Sequence, residues 1–502
     1  MCAWGPVIQF LRSGKPAGPS EQLRVAVTFP GRDGQHGPTK PGVHLSLKNV
    51  MDFVPEAQKM DKGIDELSKL GFKLTGRGRL TASMRCTKET FEKTFSTALK
   101  EFNLDIQENY AFHSFYFPAQ GADWKFPPAL AGLIDDVYIQ WPHIFMAPIP
   151  SVTPPKVKYY HLNVPQDVAT LLNAAPLHKK GIKGEGIRVV MIDSGFAHES
   201  HPFFATHGYS SRVVLAGDAK DEKIDRLGHG TGHSTNIFSL VPRAQFVGVK
   251  IAADDLNDMF YLNPASLLEG FYTARQQNPD VISISAGSDL REEGSTKQLS
   301  NLPKNLKALE AEILHAVASG IIVVVAAGNG QFSFPGMMPD VISAGGVYVD
   351  KKGKKRASNK ASAYNSKIYP GRHVPDVCGL VGMAQDRYIM LPIPPGCLLD
   401  LAKLFDPKSG TATNDGWATF SGTSAAAPQI AGVCALLKSK DRNLTPSDVK
   451  AILRSTALEV RVGKSNPKSS DDCKTPQKAG KGANGAAGAG LADALSAWEE
   501  VK

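Results

Sequence analysis

Four runs in the C-terminal two thirds of the chain are hydrophobic at nearly every position. They lack the alternation of apolar and polar residues that is typical of a strand with one solvent-exposed face. Segments with apolar residues at helical spacing separate them, most clearly 266–277 and 305–319. Strands of this kind are buried on both faces, as in a parallel sheet covered by helices. The pattern predicts an α/β domain over 165–502 with a doubly wound, mostly parallel sheet. The four runs are 186–192, 244–251, 281–285 and 321–327.

A smaller pattern occupies residues 43–145, where strand-like segments alternate with two helical segments. Its βαββαβ order predicts a small N-terminal α+β domain of the ferredoxin-like kind. The predicted elements are a strand at 43–49, a helix at 56–70, strands at 72–74 and 80–84, a helix from Thr87 with Phe91, Phe95, Leu99 and Phe102 on one face, and a strand at 110–117.

Two segments outside these patterns are predicted to connect or extend the domains. Residues 1–42 are rich in Gly, Pro, Lys and Arg without a sustained period, which indicates a basic arm. Residues 146–164 begin with a proline-rich stretch that has no apolar period, which is typical of a linker.

The composition is that of an ordinary globular protein, with 502 residues, 42% of them hydrophobic and 6 of them Cys. Disulfide scaffolds, collagen-like chains and wholly disordered chains are therefore excluded. No apolar stretch approaches the roughly 20 residues of a membrane helix, so we expect no membrane span. The N-terminus lacks the pattern of a secretory signal, and the expected location is the cytoplasm.

The net charge of +9 raises the question of nucleic-acid binding. The densest basic run, 351–356, has no aromatic residues interleaved with its charges, so it is interpreted as a solvated loop. Nucleic acid is not expected as a partner.

Four polar residues stand where such a sheet exposes its ligand site, beyond the carboxyl ends of the strands. Asp193 ends the first apolar run and Asn329 follows the fourth. His229 lies in the glycine-rich segment LGHGTGHS, and Ser424 opens an alanine-rich helix in FSGTSAAAP. An acid, an imidazole, a carboxamide and a hydroxyl are thereby expected to meet.

These residue types suit nucleophilic catalysis. A serine hydroxyl is a weak nucleophile that needs a base, and an imidazole is the usual choice. Asp193 would hold His229 in the correct tautomer and stabilise the imidazolium that forms. A helix N-terminus at Ser424 and the amide of Asn329 would both donate to a developing oxyanion.

The motifs DSG, HGTG, AAGN and GTSAAAP occur in this order, and together they resemble the four signatures of the subtilisin-like serine proteases, or subtilases. The resemblance covers roughly 165–500. It implies a serine endopeptidase that cleaves protein or peptide substrates through an acyl-enzyme on Ser424, with Asp193 and His229 completing the triad and Asn329 in the oxyanion hole. The residues it implies for substrate binding are Ser285, Ala286, Gly287, Ala326, Ala327 and Gly328.

Two departures from the family pattern change the expectations. The 95 residues from Asn329 to Ser424 are long for a subtilase, which indicates an insertion within 350–417 that borders the substrate cleft or binds a partner. The histidine segment also runs directly into VPRAQ, without the loop that supplies a calcium site in many subtilases. No cofactor is expected to be required; calcium stays open, and the missing loop weighs against it.

The domain at 43–145 resembles a subtilase or sedolisin-type propeptide. The resemblance implies an intramolecular inhibitor that keeps the enzyme latent until cleavage in the linker, or a regulatory protein partner, relieves it.

Other interpretations stay open at this point. The chain could be a catalytically silent binding protein with the subtilase fold, or an acid-acting sedolisin-like peptidase, although sedolisins have Glu in place of His229 and Asp in place of Asn329. His233 lies four residues after His229, but no Glu completes an HExxH pattern, so no metal site is predicted. Asp225 and His198 are interpreted as structural.

Overall fold

The structure, a computed structural model, describes most of the chain. The described residues are 22–32, 37–39, 42–104, 113–118, 125–140, 144–145, 160–252, 266–292, 295–383, 387–401, 416–466 and 476–501.

The strands and helices are numbered in chain order. The strands are β1 (Gln22–Thr28), β2 (Lys73–Arg77), β3 (Thr81–Thr87), β4 (Leu99–Leu104), β5 (His113–Pro118), β6 (Asp136–Ile139), β7 (Ile144–Phe145), β8 (Tyr160–Asn163), β9 (Arg188–Asp193), β10 (Ser211–Leu215), β11 (Gln245–Lys250), β12 (Val281–Ile284), β13 (Ala286–Asp289), β14 (Ile322–Ala326), β15 (Ser333–Phe334), β16 (Ile342–Val349), β17 (Lys355–Ala357), β18 (Tyr364–Asn365), β19 (His373–Val374), β20 (Val377–Leu380), β21 (Arg387–Pro392) and β22 (Trp417–Phe420). The α-helices are α1 (Ala57–Lys69), α2 (Lys88–Phe95), α3 (Gln166–Leu171), α4 (Ala175–Lys179), α5 (Pro202–Thr206), α6 (His229–Leu240), α7 (Ser266–Gln276), α8 (Lys307–Ala318), α9 (Leu398–Leu401), α10 (Thr423–Lys440), α11 (Pro446–Ser455) and α12 (Ala494–Glu500).

The central sheet of the C-terminal domain has the strand order β10-β11-β9-β12-β14-β16-β17, and β20 also pairs with β16. Its pairs are parallel except for β16 with β17. Two pairs of helices pack around it, α6 with α10 and α7 with α8. The four apolar runs became β9, β11, β12 and β14, because strands covered on both faces bury every side chain. This confirms the predicted doubly wound, mostly parallel sheet.

The N-terminal sheet has the order β2-β3-β1-β6, and α1 and α2 cover one of its faces. The core under these helices is apolar and includes Val25 and Val27 from β1 with Phe91 and Phe95 from α2. The helix α2 begins at the predicted N-cap, where Thr87 accepts a hydrogen bond from the Thr90 amide. The observed elements therefore form the small α+β domain that the sequence predicts.

Four details of that domain differ from the prediction. The fourth strand of the sheet is β6, whereas the predicted last strand, 110–117, is described from 113 onward as β5 and pairs with β4 instead. Residues 22–28, predicted within the basic arm, form the buried strand β1 between β3 and β6, whereas 43–49 consists of turns and irregular backbone. The segment QLRVAVT alternates like a strand, but the glycine- and proline-rich residues on both sides of it led to its assignment to the arm. The helix α2 ends at Phe95 because Ser96 adopts a left-handed conformation with φ 51°, and 99–104 continues as β4.

Two other predicted segments lie wholly or partly outside the described residues. Residues 1–21 of the predicted arm and 146–159 of the predicted linker belong to this group. The end of the predicted linker is not irregular as expected: Tyr160–Asn163 forms β8 and pairs with β21.

The second face of the N-terminal sheet packs on α7 and α8; we call this contact the sheet–helix interface. Glu269 of α7 is buried there and accepts hydrogen bonds from Thr75 Oγ1 at 2.5 Å and from Ser83 Oγ at 2.8 Å. The guanidinium of Arg24 lies 3.6 Å from the same carboxylate. A buried charge is tolerated when donors surround it in this way.

Glu312 of α8 is the second buried carboxylate of this interface. Its Oε1 accepts from the Leu80 amide at 3.0 Å and from Thr81 Oγ1 at 3.2 Å. Burial raises the pKa of Glu312 above its usual value, against the effect of these hydrogen bonds. A Cβ atom at Gly78 would stand 2.2 Å from Oε1, so this position needs glycine for the hairpin to approach α8 so closely.

Candidate active site

Asp193 and His229 meet at the carboxyl edge of the central sheet. Asp193 is the last residue of β9 and His229 the first of α6, and both side chains are fully buried. Asp193 Oδ1 lies 2.6 Å from His229 Nδ1, a hydrogen-bond distance. This contact fixes which ring nitrogen faces the carboxylate, and the sequence predicted the pairing.

Glycines allow the helix to come this close to the strand end. A Cβ atom at Gly230 would lie 2.3 Å from the carbonyl oxygen of Gly195 and 2.9 Å from Asp193 Cβ. Gly228, which precedes His229, has φ 87°, a conformation that other residues rarely adopt. The glycine-rich segment around His229 therefore has a structural reason in this site.

Ser424 is the second residue of α10, where backbone N–H groups lack partners within the helix. Its Oγ donates to the carbonyl oxygen of Ser285 at 3.4 Å, and Ser285 Oγ donates to the carbonyl oxygen of Ser424 at 3.1 Å. The serine thus lies against the junction between β12 and β13, which holds the predicted substrate-binding residues Ser285, Ala286 and Gly287.

The amide of Asn329 is held in one orientation beside Ser424. Its Oδ1 accepts from the Thr423 amide at 2.7 Å and from Thr423 Oγ1 at 2.9 Å. The donor nitrogen Nδ2 consequently faces away from Thr423. Gly422, with φ 143°, is needed next to it, because a Cβ atom there would lie 2.9 Å from Nδ2. The amide hydrogens of Asn329 and the first turn of α10 are thus brought to one place, as the sequence predicted.

The other predicted substrate-binding segment, Ala326 to Gly328, leads from β14 into Asn329. The Ala327 amide donates to the carbonyl oxygen of Ala344, and the Gly328 amide donates to Thr423 Oγ1 at 3.1 Å. Gly328 has φ 104°, and a Cβ atom there would lie 2.9 Å from Ser362 Oγ. This segment is therefore rigidly connected to the serine helix.

The helices that carry His229 and Ser424 pack against each other. Gln429 Nε2 of α10 donates to Asn236 Oδ1 of α6 at 2.8 Å. The ring of His233 lies 4.4 Å from the ring of His229 and 4.9 Å from that of Phe420, which is four residues before Ser424. Burial, with a smaller contribution from His229, lowers the pKa of His233 well below its usual value, so the second histidine is a neutral core residue.

A segment of the N-terminal part of the chain occupies the edge of β13. The strand β7 pairs antiparallel with β13, Phe145 opposite Ala286 and Ile144 opposite Gly287. The other half of β13 pairs with β15. Two of the backbone positions that the resemblance implies for substrate binding, Ala286 and Gly287, are therefore paired with the chain itself.

The predicted insertion lies beside the catalytic elements. Its strand β21 pairs with β22, which leads into Ser424, and with β8. The backbone N–H of Leu398 donates to the carbonyl oxygen of Arg226 at 2.8 Å, in the loop that precedes His229. The cysteines Cys378 and Cys397 are free thiols, so a disulfide between them is not formed.

Sequence reasoning missed the residues that orient the four predicted ones. Thr423, which holds the amide of Asn329, and Ser194, whose amide donates to Asp193 Oδ1 at 2.7 Å, are both examples. Each stands next to a residue that the motifs identify, and that adjacency was the available signal. In the described part of the chain, no cluster of three or more His, Cys, Asp or Glu residues has the arrangement of a metal site. Nor does any described helix combine the length and apolar character of a membrane span.

The profile of the subtilase family matches residues 184–490, more than half of the chain. The chain therefore belongs to the subtilase family, and it is a subtilisin-like serine endopeptidase. An intracellular serine protease of Paenibacillus polymyxa is 28% identical over 299 residues, which are 56% of this chain and 76% of that protein. Subtilisin E of Bacillus subtilis (strain 168) is 26% identical over 314 residues, 59% of this chain and 67% of that protein.

The fold is also similar to that of fervidolysin from Fervidobacterium pennivorans, a keratinolytic enzyme related to subtilisin. The TM-score is 0.56 at 17% identity, and the match covers 95% of this chain. It covers 61% of fervidolysin, so this chain spans less than two thirds of that protein.

Proposed function

We propose that this serine endopeptidase hydrolyses peptide bonds with the triad Asp193, His229 and Ser424. Ser424 Oγ attacks the carbonyl carbon of the scissile bond while His229 takes its proton, and Asp193 stabilises the resulting imidazolium. The amine leaves with the proton from His229, and water then hydrolyses the acyl-enzyme by the same route. The observation that carries this proposal is the 2.6 Å contact between Asp193 Oδ1 and His229 Nδ1 on a helix packed along that of Ser424.

Asn329 and the first turn of α10 serve as the oxyanion hole in this mechanism. The orientation set by Thr423 directs the donor nitrogen of Asn329 away from its anchored oxygen, as an oxyanion donor requires. Ser285, Ala286, Gly287, Ala326, Ala327 and Gly328 bind the substrate backbone. No step of this chemistry needs a cofactor, and full activity after treatment with EDTA would agree, whereas loss of activity would favour calcium.

The N-terminal domain keeps the enzyme latent. Two observations support this: β7 occupies the edge of β13, and the sheet–helix interface buries Glu269 and Glu312 among donors from the N-terminal sheet. A substrate that pairs with β13 must displace β7. Cleavage before β8, or a regulatory protein partner, would relieve this competition.

A fluorophosphonate probe tests the triad directly, because it reacts with activated serines. We expect labelling of the native chain and none of Ser424→Ala. The matched control is Ser439→Ala, at the far end of the same helix, which should label like wild type. Absence of labelling in wild type from which the N-terminal domain has been removed by cleavage between β7 and β8, with an ordinary serine protease labelled in parallel, would refute the triad and favour a silent binding protein. A peptidase optimum below about pH 5 would favour the sedolisin-like alternative, since a histidine base is protonated there.

Mass spectrometry of the purified chains tests the latency. Wild type should lose its N-terminal domain by cleavage between β7 and β8, and Ser424→Ala should stay intact. The same mature N-terminus in both proteins would exclude self-processing. Equal peptidase activity of the intact and the shortened wild type would exclude inhibition by the N-terminal domain.

A further inference from the structure

Asp225 is a buried carboxylate close to the triad that sequence reasoning interpreted as structural. Its Oδ1 accepts from Ser194 Oγ and from the Gly228 amide, each at 2.9 Å. Its Oδ2 accepts from the Thr231 amide at 2.9 Å and from Thr231 Oγ1 at 2.7 Å. Only 3% of the residue is exposed, so these four bonds replace its hydration.

Every partner of Asp225 lies within two residues of Asp193 or His229 along the chain. Ser194 directly follows Asp193, Gly228 directly precedes His229, and Thr231 is two residues further on. Three of the four bonds go to residues three and six positions further along the chain, and the fourth reaches Ser194 across 31 positions. Asp225 is therefore hydrogen-bonded to the segments that flank both Asp193 and His229.

Ser194 is hydrogen-bonded to Asp193, to Asp225 and to the first turn of α6. Its amide donates to Asp193 Oδ1 at 2.7 Å, its Oγ donates to Asp225, and the same Oγ accepts from the Gly230 amide at 2.9 Å. The end of β9 and the first turn of α6 are thus joined by hydrogen bonds through one side chain.

The first turn of α6 has no cap of its own, because the N-cap residue is Gly228 and has no side chain. Ser194 satisfies the amide of Gly230 and Asp225 satisfies that of Thr231, and these are donors that a helix leaves open. The negative charge of Asp225 also lies at the positive end of the helix, where an anion is favourable. His229 sits on this turn, so the capping network sets the position of its ring.

We propose that Asp225, acting with Ser194, is a positioning residue for the reaction: it holds the imidazole of His229 in register with Asp193 without touching the substrate. This inference rests on the proposed triad. Misplacement of a catalytic group by about 1 Å costs on the order of 100-fold in rate. Loss of the network should therefore lower kcat and leave KM almost unchanged, because no substrate contact is removed.

The test compares Asp225→Asn with Asp280→Asn. Asp280 accepts the Arg188 amide at 2.8 Å at the opposite end of β9, so it is a carboxylate with a similar structural role far from the triad. We expect Asp225→Asn to lower kcat about 10- to 100-fold, with KM within about twofold of wild type. Fluorophosphonate labelling of Ser424 should slow in parallel. Asp280→Asn should lose stability but keep wild-type kcat.

Rates are compared at a temperature where circular dichroism shows all variants folded, between preparations with the same N-terminus. If Asp225→Asn is not processed while Asp280→Asn is, this counts as the expected loss of activity. Ser194→Ala is the second variant in case Asp225→Asn does not fold; it removes one of the two caps and should lower kcat by up to about 10-fold.

The inference fails if both Asp225→Asn and Ser194→Ala keep wild-type kcat, or if Asp280→Asn loses as much kcat as they do. Failure of the proposed function is distinct: in that case the wild type itself shows no labelling that depends on Ser424.

Discussion

The sheet–helix interface allows a quantitative prediction about Glu312. Replacing it by alanine removes the single oxygen, Oε1, that accepts from the Leu80 amide and from Thr81 Oγ1. Each buried donor left without an acceptor costs about 1–3 kcal/mol. Thr81 Oγ1 also contacts the Tyr272 hydroxyl, so the loss of its hydrogen bond to Oε1 costs about 1 kcal/mol at most. Together with the loss at the Leu80 amide, this should destabilise the interface by about 2–4 kcal/mol, which is about a 30- to 700-fold larger opening equilibrium constant.

Glu312→Gln is the matched variant, because its side-chain oxygen can take the place of Oε1 and keep both hydrogen bonds. The other carboxylate oxygen, Oε2, only approaches Arg275, at 4.0 Å. The amide also removes a buried charge. We therefore expect Glu312→Gln to change the opening equilibrium by less than about fivefold, the equivalent of about 1 kcal/mol.

Hydrogen exchange followed by mass spectrometry measures this opening on peptides that cover 78–87. The chain carries Ser424→Ala so that no cleavage interferes. Glu56→Ala, at an exposed position of the N-terminal domain, is the control and should exchange like the parent. The reasoning is refuted if Glu312→Ala exchanges no faster than the parent, or if Glu312→Gln exchanges as fast as Glu312→Ala.

Three further changes have expected outcomes. Gly422→Ala should push the amide of Asn329 out of place and lower kcat about 100-fold in peptide hydrolysis assays, with a smaller effect on KM. Thr445→Ala removes the capping box of α11 and should cost about 1 kcal/mol in urea unfolding, with activity unchanged. Burial acts to raise the pKa of Asp376, but the hydrogen bonds and charge of Arg372, with other nearby cations, hold that pKa below its usual 3.8. The stabilisation that the ionised Asp376 gives to the folded state is therefore present above pH 3.8 and is lost as the pH falls through the folded-state pKa. Asp376→Asn should lower the free energy of unfolding by about 3–5 kcal/mol at neutral pH. In acid unfolding experiments, the difference in stability between the variant and the wild type should become smaller as the pH falls.

The central sheet and the four main site residues could be predicted from the sequence, because each has a recognisable local pattern. Runs such as 322–326 are apolar at every position only when covered on both faces. Asp193 and Asn329 directly follow such runs, so the edge of the sheet where they lie could be predicted. The pairing of Asp193 with His229 followed from the chemistry of the residue types.

The remaining features depend on contacts between distant parts of the chain, which a local pattern does not encode. The alternation of Leu23, Val25 and Val27 does mark β1 as a strand, but no local pattern shows that its neighbours in the sheet lie at 81–87 and 136–139. Asp225 looks like an ordinary loop residue until the fold brings Ser194 to it across 31 positions. Contacts of this kind, between residues far apart in the sequence, decide which polar residues orient a site.

The burial of α10 has a consequence for the order of events during synthesis. Nearly every residue of this helix is packed inside the domain, against strands that all precede it in the chain. Ser424 therefore has no place to fold until those strands have emerged from the ribosome. Residues 144–145 emerge far earlier and can already lie on β13 when Ser424 arrives. The order of synthesis thus allows β7 to pair with β13 before Ser424 reaches its place, and under the proposed function this order would protect the newly made chain from its own peptidase activity.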